Sequence, residues 1–220
     1  MPTVLDLRAS DDVRDIVHRS VQALVEGAVI GVPTETVYGL AADALNASAV
    51  EQLCEIKGRD AKAPLAISVS SRESAGDFFD QLTPLARRLS YRCWPGPLTL
   101  VVPSQSSRSA LTQLPEQVRS RIGGDQGCVG YRVVDHRIMA HIHRFLSGPL
   151  VLTSANRSGE PAQTTAAGVA EQLGDTLPLL LDDGPTRYGG ASTVVRVVGN
   201  RMEILREGVI EREAMNQFVK

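Results

Sequence analysis

Hydroxyl-bearing side chains follow the first apolar strand that the sequence predicts. Residues 28–32 form a short apolar run that Pro33 ends, and Thr34, Thr36 and Tyr38 come directly after it. In an open α/β sheet, ligands bind outside the carboxyl ends of the strands, so these hydroxyls could hydrogen-bond a small polar ligand. A threonine-rich turn without a ligand explains the same residues, and the spacing leaves both interpretations open.

Three cations lie close together where the second predicted helix ends. Lys57 and Arg59 flank Gly58, and Lys62 follows Arg59 closely. Arginine forks onto phosphate oxygens and lysine acts as a point charge, so this group suits a phosphate chain. Cations also favour the carboxyl end of a helix dipole, so a solvated helix end is the alternative.

A small, hydroxyl-rich loop follows another predicted strand. The segment 153–161 (TSANRSGEP) carries Ser154 and Asn156, and backbone N–H groups in such a loop can form an anion-binding nest. It lacks the GxxxxGK[ST] pattern of a Walker loop, and a helix-capping loop is the alternative. Ser192 begins one later strand and Arg206 ends another, and each by itself is typical of a structural residue.

The remaining polar clusters do not fit a metal centre or a nucleophile. On one predicted helix, His136 and His143 share a face, but His141 lies elsewhere and no carboxylate supports them. Ser154 is not preceded by the GxSxG elbow of a hydrolase. Two carboxylate pairs are typical of solvated faces or a turn: Glu51 with Glu55, and Asp182 with Asp183. We therefore predict neither a catalytic side chain nor a metal site.

Length and composition are those of an ordinary globular domain. With 220 residues and a net charge of −2, the chain lacks the composition of a disordered protein and the bulk basic charge that holds nucleic acid. No run approaches the roughly 18 apolar residues of a membrane helix, and the acidic N-terminus is not a signal peptide. Three cysteines without metal or redox spacing favour a cytoplasmic setting: Cys54, Cys93 and Cys128.

Helical and strand patterns alternate along the chain, which predicts an α/β domain around a twisted, mixed, open β-sheet flanked by helices. The predicted helices cover residues 10–25 (capped by Ser10 and ended by Gly27), 48–57, 72–81, 84–92, 136–146 and 165–173. The predicted strands cover residues 28–32, 65–69, 97–103, 128–133, 149–153, 178–181, 192–198 and 202–206. The last two strands form a predicted hairpin, and residues 104–127 a polar loop with a short helix.

Seven segments occur together in the order that one protein family shows. They are GVPTETVYGLAADALN, IKGRDAKAPL, WPGPLTLVVP, VGYRVVDH, GPLVLTSANRSGEPA, STVV and ILREG. In them the chain resembles the YrdC-like domain family, the L-threonylcarbamoyl-AMP synthases of transfer-RNA modification. The resemblance implies one YrdC-like domain over residues 1–220, with a core at about 10–210 and a concave, basic cavity. It also implies the short form of the family, which lacks the additional C-terminal domain of longer members.

The family's reaction uses L-threonine, bicarbonate and ATP, with Mg²⁺ carried by the ATP. The threonine amine captures carbon dioxide as a carbamate, and a carbamate oxygen attacks the α-phosphate to give threonylcarbamoyl-AMP and pyrophosphate. A separate transferase complex then moves the threonylcarbamoyl group to tRNA. Such chemistry needs positioning and charge stabilisation more than a protein nucleophile.

The resemblance also implies which side chains bind the substrates. The residues expected to contact threonine are Thr36, Ser68, Arg132, Ser154 and Ser192. The residues expected to contact the nucleotide are Lys57, Arg59, Asn156, Thr164 and Arg206. Ser154 and Asn156 would lie near the reacting centre, and Thr34 and Tyr38 would shape the threonine wall.

Three positions depart from the family pattern. Ala63 stands where a lysine is usual, with Lys62 one place early; Ser68 replaces a histidine, and Val134 replaces a proline. The alternative function is therefore an RNA-binding factor of the same fold with weakened or lost catalysis, although the net charge of −2 gives no support to RNA binding. A related carbamoyl-adenylate domain of hydrogenase maturation is a second alternative, but its zinc fingers are absent from this sequence.

Overall fold

The computed structural model describes residues 1–9, 12–60, 63–79, 82–104, 107–124 and 127–219. Its α-helices are α1 (Arg14–Val25), α2 (Ala47–Lys57), α3 (Arg72–Ala75), α4 (Pro84–Cys93), α5 (Glu116–Ile122), α6 (Arg137–Phe145), α7 (Ala166–Leu173) and α8 (Arg212–Val219). Its strands are β1 (Thr3–Asp6), β2 (Ile30–Val32), β3 (Gly39–Asp43), β4 (Ala66–Ser68), β5 (Leu98–Pro103), β6 (Cys128–Arg132), β7 (Leu150–Ser154), β8 (Leu179–Asp182), β9 (Thr193–Val198) and β10 (Arg201–Arg206).

The strands form one mixed sheet in the order β1-β8-β2-β3-β7-β4-β6-β5-β9-β10. Neighbours pair in parallel in β1/β8, β2/β8, β4/β6 and β5/β9, and the other neighbours are antiparallel. The predicted mixed α/β architecture is therefore confirmed. The terminal hairpin is confirmed as well, because β9 and β10 meet at Gly199, which has a φ of +57°.

Some elements differ from those that the sequence predicts. Strand β3 was not predicted, because Gly39 and two alanines give it no apolar alternation, and the terminal elements β1 and α8 were also not predicted. Helix α1 begins at Arg14, later than predicted, and the predicted cap Ser10 lies outside the described residues. The helix predicted over 72–81 is wrong in length, because α3 changes at Gly76 into a single 3₁₀ turn; residues 80 and 81 lie outside the described residues.

Local capping explains where the site-bearing helices begin and end. The Asn46 side chain accepts a hydrogen bond from the Ala49 N–H at the start of α2, and Gly58 ends that helix in the left-handed conformation with a φ of +60°. Lys57 and Arg59 are thereby placed on either side of a sharp change in chain direction. Thr83 caps α4 as predicted, with Pro84 at the first helical position.

The two faces of the sheet are covered unequally. One face packs its apolar side chains into a large core, which includes Leu40, Ile67, Tyr131 and Val195. On the opposite face, a smaller core under α1 and α6 covers β8, β2, β3 and β7. Among the described residues, the smaller core does not extend over the other half of this second face, which is formed by β4, β6, β5 and β9. Because side chains alternate across a strand, alternate residues of these strands line a cavity there.

Candidate functional site

A cavity of about 860 Å³ lies on this open half of the sheet. Its size falls in the range of small-molecule and cofactor pockets. Five of the ten predicted site residues line it: Arg59, Arg132, Ser154, Ser192 and Arg206. Thr34 and Tyr38 line it too, so segments far apart in the chain converge on one concave surface.

Arginine is the only charged residue type among the described residues that line the cavity, and two of these arginines pair with a carboxylate outside the lining: Arg132 with Glu35 and Arg196 with Glu203. Four arginines line the cavity, and among the described lining residues there is no aspartate, glutamate, histidine or lysine. Burial first, and then the charges of Arg132 and Arg59, lower the pKa of Arg206. Mutual repulsion of this kind is relieved when an anion enters, so the cavity is suited to an anionic ligand.

Arg132 is held at the cavity wall by a directed chain of hydrogen bonds. Its Nη2 donates to Thr36 Oγ1 at 2.6 Å, and Thr36 Oγ1 lies 2.9 Å from Thr34 Oγ1. Since Thr34 Oγ1 donates to the Val37 carbonyl at 2.6 Å, the Thr36 hydroxyl is the donor toward Thr34. Thr36 is fully buried and is not among the residues that line the cavity, so in this structure it contacts Arg132. Its predicted contact with threonine stays a prediction.

Lys57 is buried beneath the loop that follows β7. Its Nζ lies within hydrogen-bond distance of four acceptors: the carbonyl oxygen and Oγ of Ser154 at 2.8 and 3.2 Å, and the carbonyl oxygen and Oδ1 of Asn156 at 3.1 and 2.8 Å. The Lys57 carbonyl also accepts from the Ser158 N–H. Neither Lys57 nor Asn156 lines the cavity, and the ammonium group instead fixes the loop that presents Ser154. Their predicted nucleotide contacts stay predictions.

Arg59 is anchored by the loop in which the family lysine is replaced. Its Nε donates to the Ala63 carbonyl at 2.9 Å, and its Nη2 donates to the Pro64 carbonyl at 2.7 Å. These two bonds orient the guanidinium group toward the cavity that it lines. Lys62 lies outside the described residues.

Ser192 and Arg206 form a second anchored group in the lining of the cavity. Arg206 Nη2 donates to the carbonyl oxygen and to Oγ of Ser192 at 2.9 and 3.0 Å, and Ser192 Oγ lies 3.0 Å from Thr99 Oγ1. The hairpin of β9 and β10 thus brings together two residues that look unremarkable in the sequence.

Ser68 and Thr164 lie away from the cavity wall. Ser68 Oγ is buried beneath α6, where it lies 3.0 Å from His143 Nε2, and its backbone pairs with Arg132 across β4 and β6. The Thr164 carbonyl accepts from the Thr186 N–H. Neither residue is among those that line the cavity, and their predicted substrate contacts stay predictions.

The buried imidazole of His143 is expected to make stability depend on pH. Burial lowers its pKa to about 4, so the folded protein keeps this imidazole neutral while the unfolded chain begins to take up a proton near its ordinary pKa of 6.5. The contribution of this group to stability is therefore fully present above pH 6.5 and is lost as the pH falls toward 4, at up to roughly 1.4 kcal/mol per pH unit. We expect His143→Gln to show a flatter loss over this window in urea unfolding at several pH values. His141→Gln is the matched control, and equal slopes for wild type and His143→Gln would contradict the assignment.

Two site-related residues were missed in the sequence. Arg196 lines the cavity beside Arg206, and the period-two pattern of STVVRVV could have indicated that it shares a face with Val194. Glu35 forms a buried ion pair with Arg132 at 2.8 Å. A single carboxylate between two threonines is typical of an exposed turn, so no sequence signal marked it.

The described residues contain no group of three or more histidine, cysteine, aspartate or glutamate side chains arranged to hold a metal ion. His136 instead pairs with a single carboxylate, that of Asp183, at 3.1 Å. Within the same described part of the chain, no helix has the length and apolar character needed to cross a bilayer.

The chain is similar to one family model and to several curated proteins over most of its length. The family model Sua5/yciO/yrdC, described as telomere recombination, matches residues 22–208. The chain is 36% identical over 194 residues to the threonylcarbamoyl-AMP synthase of Pyrococcus abyssi, covering 88% of this chain and 54% of that protein. It is 33% identical over 196 residues to the threonylcarbamoyl-AMP synthase of Bacillus subtilis, covering 89% and 54%.

A solved structure is similar over nearly the whole chain. The crystal structure of P. abyssi Sua5 complexed with L-threonine has a TM-score of 0.85 at 31% identity, covering 98% of this chain and 60% of that one. The chain spans about half the length of these curated relatives.

Proposed function

The chain belongs to the Sua5/yciO/yrdC family, and on that premise we propose that it is an L-threonylcarbamoyladenylate synthase. It takes L-threonine, bicarbonate and MgATP and releases threonylcarbamoyl-AMP and pyrophosphate. The observation that carries this proposal is the convergence of four arginines, without an acidic side chain among the described lining residues, on one cavity of about 860 Å³. ATP carries several negative charges on its phosphates and L-threonine carries a carboxylate, so a cavity lined by arginines suits both substrates.

The residues act by holding charge in position. Bicarbonate loses hydroxide to give carbon dioxide, and the threonine amine forms a C–N bond to that carbon and loses a proton. The hydroxide and the proton leave as water, and the product is the carbamate. A carbamate oxygen then forms a bond to the α-phosphorus while the bond to the pyrophosphate oxygen breaks. Arg59 and Arg206 bind the phosphates, and Arg132 binds the threonine carboxylate. No imidazole, carboxylate or amine lines the described part of the cavity, so positioning and charge stabilisation provide the catalysis.

The remaining assignments are part of the same proposal. The threonine-binding part of the site includes Thr36, Ser154, Ser192 and Ser68, which lies next to Arg132. The nucleotide-binding part includes Lys57, Asn156 and Thr164. We propose that the product passes to a tRNA threonylcarbamoyl transferase complex in the cytoplasm, and that residues 1–220 form one domain with its core at about 10–210.

The test is pyrophosphate release with each substrate omitted in turn. We expect release only when ATP, L-threonine and bicarbonate are all present. Release that is unchanged without threonine would contradict the substrate assignment. Salt-dependent RNA affinity in a protein that releases no pyrophosphate would favour the RNA-binding alternative.

Nucleotide binding is expected to take up protons near pH 8. Burial, and then the charges of Arg59 and Arg206, lower the pKa of Lys57 to about 8, so its ammonium is only partly protonated there. The phosphates of ATP offset those positive charges and raise the pKa, so ATP affinity is highest below pH 8 and declines as the pH rises above it. Calorimetric titration in two buffers of different ionisation enthalpy measures this uptake. It should disappear in Lys57→Met, and identical apparent enthalpies for wild type in both buffers would contradict the expectation.

A further inference from the structure

Arg132 and Glu35 form an ion pair that is buried on both sides. The side chain of Arg132 is 9% exposed and that of Glu35 is 2% exposed, whereas every other ion pair among the described residues has at least one partner more exposed than this. Arg132 lines the large cavity, and Glu35 does not. Glu35 therefore supports an arginine that faces the ligand without facing the ligand itself.

The hydrogen-bond pattern fixes the guanidinium plane. Nη2 of Arg132 donates to Glu35 Oε1 at 2.8 Å and to Thr36 Oγ1 at 2.6 Å, so both of its hydrogens are used. Nε is buried without a partner. Both hydrogen bonds of Arg132 to the described residues come from Nη2, so Nη1 has no acceptor among them. Two acceptors on one nitrogen set the orientation of the planar group and leave Nη1 for a ligand in the cavity.

Glu35 is itself held in place from outside the large cavity. Its carbonyl accepts from the Tyr188 N–H at 2.9 Å, and the residue lines a second, smaller cavity of about 290 Å³ together with the His136–Asp183 pair. The Glu35–Arg132 contact thus joins a residue of the small cavity to a residue of the large one. Because only Oε1 bonds to Arg132 and Oε2 has no partner, the contact orients the arginine at a single nitrogen.

We propose that Glu35 is a positioning residue that aims Arg132 at the carboxylate of the amino-acid substrate. This rests on the proposed function, in which Arg132 binds that carboxylate. Two effects of Glu35 oppose each other. Its negative charge weakens the attraction of Arg132 for an anion, and its hydrogen bond fixes the guanidinium in the orientation that binds. The second effect dominates, because a guanidinium that is already oriented loses little conformational freedom on binding.

The experiment measures the KM values for L-threonine and for ATP in Glu35→Gln and Glu35→Ala. Gln keeps a neutral acceptor at Oε1, and Ala removes it. We expect the threonine KM to rise roughly three- to tenfold in Glu35→Gln and about thirtyfold or more in Glu35→Ala, since charge-assisted hydrogen bonds are stronger than neutral ones. The ATP KM is expected to change less than about twofold, which a general structural defect would not produce.

Asp135→Asn is the matched control. It removes a carboxylate from the rim of the second cavity, where Asp135 pairs with Arg187 at 3.7 Å in a half-exposed contact. We expect its two KM values to equal those of wild type. If Glu35→Ala does not fold, Glu35→Gln decides the question, because its side chain keeps the size and the acceptor of Glu35.

A threonine KM in Glu35→Gln that equals or falls below the wild-type value overturns the proposal, since it would show that the charge of Glu35 only repels the substrate. A parallel rise of both KM values also overturns it. Failure of the proposed function is distinguishable, because the wild-type protein would then release no threonine-dependent pyrophosphate.

Discussion

Arg132→Ala is expected to lower kcat/KM for L-threonine roughly hundredfold, the largest effect among the cavity arginines on this substrate. A buried, charge-assisted hydrogen bond to a carboxylate contributes about 1.5–3 kcal/mol, and its loss leaves the substrate carboxylate without a partner in the wall. The KM for ATP should change far less, because Arg59 and Arg206 remain in the cavity. Initial rates with each substrate varied at saturating concentrations of the others measure both constants.

Two further variants separate binding from folding. Arg132→Ala leaves the Glu35 carboxylate buried without a partner, so thermal unfolding is measured alongside the kinetics. Arg132→Lys keeps the charge, but an ammonium group cannot bond Glu35 and Thr36 and also present a donor to the cavity as the planar guanidinium does. We therefore expect kcat/KM for L-threonine to fall about tenfold in this variant. Arg187→Ala, an exposed arginine on the second cavity, is the control. Equal losses for threonine and ATP would contradict the assignment.

Lys57→Met is expected to lower the free energy of unfolding by about 2–4 kcal/mol, or the Tm by roughly 5–15 °C. Methionine keeps the apolar stem but leaves the four oxygen acceptors of Ser154 and Asn156 without their shared donor. The loop after β7 should loosen, and synthase activity should fall with it. Thermal unfolding and pyrophosphate release measure the two effects.

Arg121→Met is the matched control for this change. Arg121 also ends in a cation on a long stem and bonds Glu51 at 2.6 Å, but that pair lies at the surface and contributes less than about 1 kcal/mol. If Lys57→Met unfolds at the same temperature as Arg121→Met, the buried lysine does not stabilise the loop.

The sequence predicts most of the elements that carry the site because their local signals are strong. Helix α4 has both a capping threonine and a first-turn proline, and α2 ends at a glycine in the left-handed conformation. Strand β3 was not predicted because its side chains are mostly small. Its strand conformation depends on pairing with β2 and β7. The terminal elements β1 and α8 likewise depend on distant partners, β8 for the strand and α4 for the helix.

The sequence predicts many of the residues that form the site, but it does not predict how they are arranged. The cation spacing singled out Arg59, whereas the roles of Arg132 and Arg206 came from resemblance to a family. Arg132 and Arg206 meet because β6 and the β9–β10 hairpin lie on either side of β5 in the sheet. The spacing around Lys57 could not show that its ammonium is buried, since a solvated helix end has the same sequence. The role of Glu35 could not be predicted from the sequence, because it depends on the contact with the buried Arg132.

We propose above all that this chain joins the amino acid, bicarbonate and the nucleotide in one cavity. The most direct measurement is mass spectrometry of the product formed from ATP, L-threonine and ¹³C-labelled bicarbonate. We expect a threonylcarbamoyl-AMP ion whose mass rises by one unit with the label and that is absent when any one substrate is left out. Pyrophosphate release without a labelled adenylate, or an adenylate that forms without bicarbonate, would contradict the account.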